Sequence, residues 1–143
     1  MATTKHSVYN GIQTALSTQL NALANNATNG TSVAVDNTTA ADMFMDLELV
    51  LTATTTRAAN AVVEVYMTTA LDGSNYTDLV TSIIDPIAIV PLDAATTARR
   101  LTVIKGLPIE PVLMQFWVVN KIGVAFGATG NLLRYRTRNL VTN

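Results

Sequence analysis

The residues of this chain that could carry chemistry are few and scattered. His6 is the only histidine, and the chain has no cysteine, so neither a thiolate site nor a cluster of histidines can bind a metal. Carboxylates occur close together at Asp46 with Glu48 and at Asp72 with Asp78. The first pair shares the face of an expected strand, the second brackets an Asp-Gly turn, and neither has an acid or base partner beside it in the sequence. We therefore expect no catalytic residue, no metal and no cofactor, and we do not expect an enzyme.

Two loops have some features of ligand-binding loops. The oxygen-bearing side chains of Asp72, Ser74, Asn75 and Asp78 could ligate Ca²⁺, but their spacing lacks the full calcium-loop pattern. Turn stabilisation is the preferred interpretation. The segment Gly127-Ala128-Thr129-Gly130 is not followed by the Lys-Ser/Thr and helix of a phosphate-binding loop. We expect a hairpin turn there.

Arg134, Arg136 and Arg138 alternate, so they share one face of the last predicted strand. Such a stripe can contact phosphates, but the pI is about 5.6 and no aromatic residue of this strand interleaves on that face for base stacking. Nucleic acid is therefore not the expected partner. Two interpretations stay open: a solvated or edge-protecting strand face, and pairing with acidic loops of a partner.

Charge is divided between the two halves of the chain. Residues 36–93 hold nine acidic side chains and one basic one, residues 99–138 hold seven basic and one acidic, and the net charge is only −1. The halves can neutralise each other within one subunit, or between neighbouring copies, where complementarity sets specificity. Only 13% of residues are charged and 49% are hydrophobic, against ~25% charged in typical soluble domains. We expect part of the surface to be buried against other subunits; the alternative is a neutral exterior rich in Thr, Ser and Asn.

Alternation of apolar and polar residues predicts β-strands from about residue 31 onward. Met45, Leu47 and Leu49 would face inward while Asp46 and Glu48 face outward. Further strands, separated by turns that contain Gly or Pro, are expected at 61–69, 99–105, 112–120 and 132–141. Six to eight short strands without crossover helices indicate an all-β fold, an antiparallel two-sheet β-sandwich of the jelly-roll type. An immunoglobulin-like topology is the second choice.

The N-terminal segment has a different period. Ile12, Leu16, Leu20 and Leu23 recur at spacings of four, four and three, which predicts a short amphipathic helix over residues 11–24. Thr and Ser lower its helix propensity, so an extended arm is the competing interpretation. We expect a single domain, 1–143, with an arm or short helix at 1–30 and the sandwich at 31–143.

The strand at 112–119 is apolar on both faces. Phe116 lies on one face and Trp117 on the other, and Gln115 is the only polar member. An antiparallel sandwich strand normally shows one face to water. We therefore expect either that the N-terminal segment covers this strand through Ile12 and its leucines or that a subunit interface buries it. A central strand inside a closed barrel is the less favoured alternative.

Several segments, in their order along the chain, resemble small virion structural proteins of tailed bacteriophages. These segments are Leu16-Ser17-Thr18-Gln19-Leu20-Asn21-Ala22-Leu23-Ala24, Val35-Asp36-Asn37, Asp46-Leu47-Glu48-Leu49, Leu71-Asp72-Gly73-Ser74-Asn75-Tyr76-Thr77-Asp78, Arg99-Arg100, Asn120-Lys121-Ile122-Gly123 and Gly127-Ala128-Thr129-Gly130-Asn131. The resemblance implies a decoration or cement protein, a homotrimer bound to the phage major capsid protein on the capsid exterior. It also implies that the N-terminal segment reaches a neighbour, and it carries over no catalytic residue.

The resemblance and the composition together set the remaining expectations. The protein would be made in the host cytoplasm and reside in the virion, and no apolar run approaches the ~20 residues of a membrane span. Two other functions stay open: a tail- or neck-associated structural module of a phage particle, and a carbohydrate-binding β-sandwich with Tyr66, Tyr76 or Trp117 as a stacking platform. The candidate interface residues are Ile12, Leu16, Leu20, Leu23, Phe116, Trp117, Arg134, Arg136 and Arg138.

Overall fold

The computed structural model of the chain describes residues 5–30, 32–94 and 99–142. These residues form nine strands and one turn of 3-10 helix at Thr18–Leu20. The strands are β1 (Lys5–Tyr9), β2 (Gln13–Leu16), β3 (Val35–Asp36), β4 (Phe44–Leu51), β5 (Val62–Ala70), β6 (Ala88–Pro91), β7 (Arg99–Pro108), β8 (Leu113–Lys121) and β9 (Leu132–Thr142). Every pairing between these strands is antiparallel.

The strands form two sheets. Sheet A has the order β1–β9–β4–β7, with β2 also paired to β9, and sheet B has the order β3–β8–β5–β6. In each sheet, strands from the first half of the chain alternate with strands from the second half, which is the order of a jelly roll. The predicted fold class, an all-β two-sheet sandwich, is confirmed.

The hydrophobic core lies between the two sheets. Alternate residues of β4 and β8 point into it, and these residues are no more than 1% exposed: Met45, Leu47, Leu49, Leu51, Met114, Phe116 and Val118. Burial of one such side chain contributes roughly 1.5–3 kcal/mol to folding. The inward positions predicted for β4 from alternation are confirmed.

The predicted helix over residues 11–24 is wrong. The segment is strand β2 followed by the 3-10 turn, so the competing interpretation of an extended chain is closer, but the segment pairs with β9 of its own sheet. A register shift between Thr14 and Leu16 lets both Ala15 and Leu16 face the core. The leucine spacing therefore comes from a bulged strand and a tight turn, and the backbone hydrogen bonds are made across the sheet.

Two turn predictions also need correction. The segment 127–130 connects β8 in sheet B to β9 in sheet A, so it crosses between sheets and is not a hairpin turn. Strand β7 continues past its predicted end at Lys105 through Gly106 to Pro108. Gly106 has a φ of +71°, which favours glycine, and it lies where the pairing with β4 shifts. Its backbone N–H donates to Asp46 Oδ1 at 2.8 Å.

Buried asparagine side chains tie loops to the sheets. Asn120 is fully buried, and its Nδ2 donates to the carbonyl oxygens of Leu23 and Val124 at 2.8 and 2.9 Å. Its Oδ1 accepts from the Ile122 N–H at 3.0 Å. One amide can satisfy several backbone groups because it both donates and accepts. The others that are at most 2% exposed are Asn29, Asn37 and Asn131.

The Asp-Gly turn after β5 forms as predicted. Gly73 has a φ of +78°, and Asp72 Oδ1 accepts from the backbone N–H groups of Asn75 and Ser74 at 2.7 and 2.9 Å. These hydrogen bonds, those from Asn75 foremost, lower the pKa of Asp72 from 3.8 to about 2.

Leu16→Ala should lower the free energy of unfolding by roughly 2–5 kcal/mol, because it empties a core position. Ile12→Ala is the matched control: Ile12 is 66% exposed on the same segment, so the change should stay within about 0.5 kcal/mol. Denaturant unfolding measures both. Equally small effects would show that the N-terminal segment is not part of this core.

Asp72→Asn tests the turn through its pH dependence. The pKa of Asp72 in the folded protein lies below the usual aspartate pKa of 3.8, so the ionised carboxylate stabilises the fold above that pH and its contribution is lost as the pH falls towards about 2. The variant keeps an acceptor oxygen but no charge. The difference in melting temperature between the two proteins should therefore shrink as the pH is lowered over this range. A difference that does not change with pH would contradict the assignment.

Candidate functional site

The predicted interface residues separate into an interior group and a surface group. The interior group is packed into or against the core of the same chain: Leu16, Leu20, Leu23 and Phe116. Leu16, Leu20 and Phe116 are at most 1% exposed and so offer no surface to a partner in this conformation, whereas Leu23 is partly buried. The surface group lies on the outer faces of the sheets: Ile12, Trp117, Arg134, Arg136 and Arg138.

The arginine stripe lies on the outer face of sheet A and meets carboxylates of β4. Strand register places Arg134 opposite Glu48 and Arg136 opposite Asp46. Arg134 forms an ion pair with Glu48, and Arg136 Nε and Nη2 each lie 3.0 Å from Asp46 Oδ2. At these positions the acidic and basic halves of the chain neutralise each other within one subunit.

Aromatic side chains from neighbouring strands flank the same arginines. The guanidinium carbon of Arg136 lies 4.1 Å from the ring centroid of Tyr9, and that of Arg138 lies 4.8 Å from the ring of Phe44. Both distances are in the range of cation–π attraction. The absence of aromatics noted from the sequence of β9 holds for that strand alone, because β1 and β4 supply the rings. The stripe is thus a paired, partly covered surface.

Beside the stripe, one end of sheet A exposes apolar side chains. Val8 and Tyr9 of β1 lie opposite Asn139 and Arg138 of β9, and the Met43 N–H donates to Asn139 Oδ1 at 2.9 Å. We call this group the sheet A corner; its members are 41–50% exposed: Val8, Tyr9, Met43 and Leu140. Alternation places Tyr9 and Leu140 on the outer face with the arginine stripe and Val8 on the other face, so the corner presents apolar groups on both sides of the end of the sheet. Exposed apolar groups close to one another mark an interaction site more often than scattered ones do.

A buried carboxylate holds the sheet A corner in place. Asp42 is 6% exposed, and its oxygens accept from Asn10 Nδ2 at 2.6 Å and from Asn139 Nδ2 at 2.9 Å. Asn10 also donates to Thr137 Oγ1 at 2.9 Å. These bonds connect the chain after β1, the start of β4 and the end of β9, so the exposed side chains sit on a fixed backbone.

The outer face of sheet B carries a cleft of about 620 Å³. Gln115 and Trp117 of β8 line it, together with residues 76–79 and 81 of the β5–β6 loop and residues 28–30. The expectation that the N-terminal leucines cover this face is wrong, because Leu16 and Leu20 pack into the core between the sheets. The β5–β6 loop and residues 28–30 partly enclose Trp117 instead.

Trp117 is held by a hydrogen bond from its own ring. Its Nε1 donates to Thr68 Oγ1 at 3.0 Å, and Thr68 is 3% exposed on β5, opposite Gln115. The neighbouring Tyr66 donates from its hydroxyl to Glu64 Oε2 at 2.9 Å. Burial, and then this bond, raise the pKa of Tyr66 to about 12, so it remains a neutral donor. The bonded hydroxyl is committed to Glu64, and Tyr66 does not line the cleft.

The described side chains do not gather into a metal site: no group of three His, Asp or Glu residues lies close enough in this part of the chain. The carboxylate of Asp72, considered above for Ca²⁺, accepts hydrogen bonds within its own turn. Residues 5–30, 32–94 and 99–142 also contain no helix able to cross a membrane.

Sequence reasoning named Trp117, Tyr76 and Asp78 separately but did not predict that they line one cleft. Gln115, Asp78 and Thr28 are far apart in the chain, and alternation alone does not show that the β5–β6 loop folds back over β8. The signal that could have found it is the combination of an apolar outward face on 112–119 with a long polar segment after β5.

A double-mutant cycle on Arg136 and Asp46 tests the pairing on sheet A. We expect a coupling free energy of about 0.5–1 kcal/mol between Arg136→Gln and Asp46→Asn, because the pair is only partly shielded from solvent. Lys105→Gln is the control, since Lys105 lies in the same shallow surface and forms no ion pair with a described carboxylate. Denaturant unfolding at low and high salt measures the terms, and coupling should fall as salt rises. Zero coupling at low salt would contradict the pairing.

Comparison of the chain with protein-family models, with curated proteins and with solved structures gave no match.

Proposed function

We propose that this protein is a structural component of a phage virion that decorates and stabilises the capsid, bound as a homotrimer between subunits of the major capsid protein. Three observations support the proposal. Several segments, taken in their order along the chain, resemble virion structural proteins. The body is a jelly-roll sandwich, and the surface combines few free charges with exposed apolar side chains.

The observation that carries the proposal is the sheet A corner beside a neutralised arginine stripe. Arg134 and Arg136 are engaged by Glu48 and Asp46, so the charges that could keep this face solvated are paired internally. Tyr9 and Leu140 remain 48% and 41% exposed on this same face. A face of this kind gains free energy when a second protein covers it.

The fold also suits a protein that locks a shell. A subunit that bridges neighbours transmits load through its own body, so its surfaces must keep their relative positions. Antiparallel pairing runs through both sheets, and Asp42 and Asn120 fix the segments at the sheet ends. In a closed ring of identical subunits, the corner of each subunit would contact the next subunit in the same way.

The first test is the oligomeric state. Size-exclusion chromatography with light scattering at tens of micromolar should give a trimer. Val8→Asp combined with Leu140→Asp should shift it to monomer, because carboxylates would be buried without partners. Ile83→Asp is the matched control: Ile83 is 80% exposed on the β5–β6 loop, away from the corner, and its replacement should leave the trimer intact.

The second test is binding to shells. Empty shells assembled from the major capsid protein of the same phage, but lacking this protein, are mixed with the purified chain and imaged by electron microscopy. Density at local threefold positions is the expected result, and the doubly substituted corner variant should leave those positions empty. Density at the portal or tail would replace capsid decoration with the tail- or neck-associated function. A monomer that binds no shell would overturn the proposal.

A further inference from the structure

The cleft on sheet B has the size and lining of a ligand site. Its volume of about 620 Å³ is within the roughly 300–1,000 Å³ of small-molecule sites, which combine aromatic surface with a few polar groups. It lies on the outer face of sheet B, whereas the sheet A corner lies on the opposite sheet. A ligand there and a partner at the corner would not compete.

The aromatic floor of the cleft is preorganised. Trp117 cannot swing freely, because its Nε1 donates to Thr68 Oγ1 at 3.0 Å and Thr68 is buried in β5. The indole is partly exposed and offers a flat apolar surface. Binding to a surface already in position costs little ordering entropy.

Both walls of the cleft are tied to the sheet. Asn29 Oδ1 accepts from the Val118 N–H at 2.6 Å, which fixes the wall at residues 28–30. Thr77 N–H donates to the Thr69 carbonyl oxygen at 3.0 Å, which fixes the wall formed by the β5–β6 loop. The cleft therefore exists before any ligand arrives.

Polar groups in the cleft have hydrogen-bonding capacity left over. Asp78 and Gln115 both line it, and neither side chain makes a hydrogen bond with another described residue. Asp78 offers acceptors only, whereas the Gln115 amide offers both a donor and an acceptor. A ligand that uses all of these must offer both donors and acceptors, and hydroxyl groups on a ring supply both.

We propose that the cleft binds a neutral pyranose ring of an oligosaccharide, stacked on Trp117 and hydrogen-bonded to Asp78 and Gln115. A pyranose with equatorial hydroxyls has an apolar face of axial C–H groups and a polar rim, which match the indole and the two side chains. Among the described residues that line the cleft, Asp78 is the only charged one. Its negative charge disfavours acidic sugars and the phosphates of nucleotides, whose bases could otherwise stack on the same ring.

Trp117 is the only tryptophan of the chain, so its fluorescence reports on the cleft directly. The probes are cellotetraose and chitotetraose, two neutral oligosaccharides of equatorial-hydroxyl pyranoses. At least one should change the emission saturably below about 10 mM, the weak end of specific binding. No saturable change with either sugar at that concentration would overturn the proposal.

Variants that keep the tryptophan locate the site. Asp78→Ala should weaken binding about tenfold and Gln115→Ala about fivefold, as expected for the loss of one charged and one neutral hydrogen bond. Glu110→Ala, an exposed carboxylate outside the cleft, is the matched control and should leave affinity unchanged. Unchanged affinity in both cleft variants would place any sugar elsewhere and overturn the assignment. A shift of emission on simple dilution, without sugar, would show that a second copy occupies the cleft and would overturn it as well.

Discussion

The register between β4 and β9 is the constraint on which the rest of the structure depends. In this register Leu49 lies beside Leu133 in the core, while Glu48 meets Arg134 on the outer face. Because side chains alternate along a strand, a slip of one residue would turn the guanidinium groups inward, where an unpaired charge is strongly unfavourable. Apolar burial and charge pairing thus select the same alignment. Once β9 is fixed, its other edge is the template on which β1 and β2 pair.

The two outer faces differ because different neighbours cover them. On sheet A, acidic side chains of β4 form ion pairs with arginines of the adjacent strand β9. The exposed apolar side chains of the sheet A corner lie at the end of these strands. On sheet B only the end of β8 has such a partner, where Lys121 pairs with Glu64 of β5; Gln115 and Trp117 have no charged partner, and the β5–β6 loop flanks them. One chain thereby has an exposed apolar corner on sheet A and an open polar-aromatic cleft on sheet B.

The sequence predicted the central strands well because their burial is local information. In β4 buried and partly exposed residues alternate over all eight positions, and tertiary contacts only reinforce this pattern. The N-terminal segment failed because its structure is decided by pairing with β9, more than 110 residues away. The spacing of Leu16 and Leu20 fits a helix equally well when that partner is unknown.

The candidate surfaces were only partly predictable, for similar reasons. The shared face of Arg134, Arg136 and Arg138 follows from alternation, but their partners depend on which strand lies next to β9. Neutralisation within one subunit was one of two open interpretations, and the pairs with Asp46 and Glu48 realise it. Buried amides such as Asn120 cannot be recognised from the alternation of apolar and polar residues. Their positions depend on which backbone groups at the ends of the sheets need a hydrogen-bond partner.

The pairing of β1 with β9 brings the two ends of the described chain side by side. Lys5 lies opposite Thr142, so their backbones are separated by about the 5 Å between adjacent strands. A short linker could join them without disturbing either sheet, and new ends could be opened in the exposed β5–β6 loop, where circular permutation is best tolerated. The backbone path from residue 5 to residue 142 therefore ends close to where it begins. A segment attached to residue 5 or to residue 142 would leave the body at the same end of the paired strands β1 and β9.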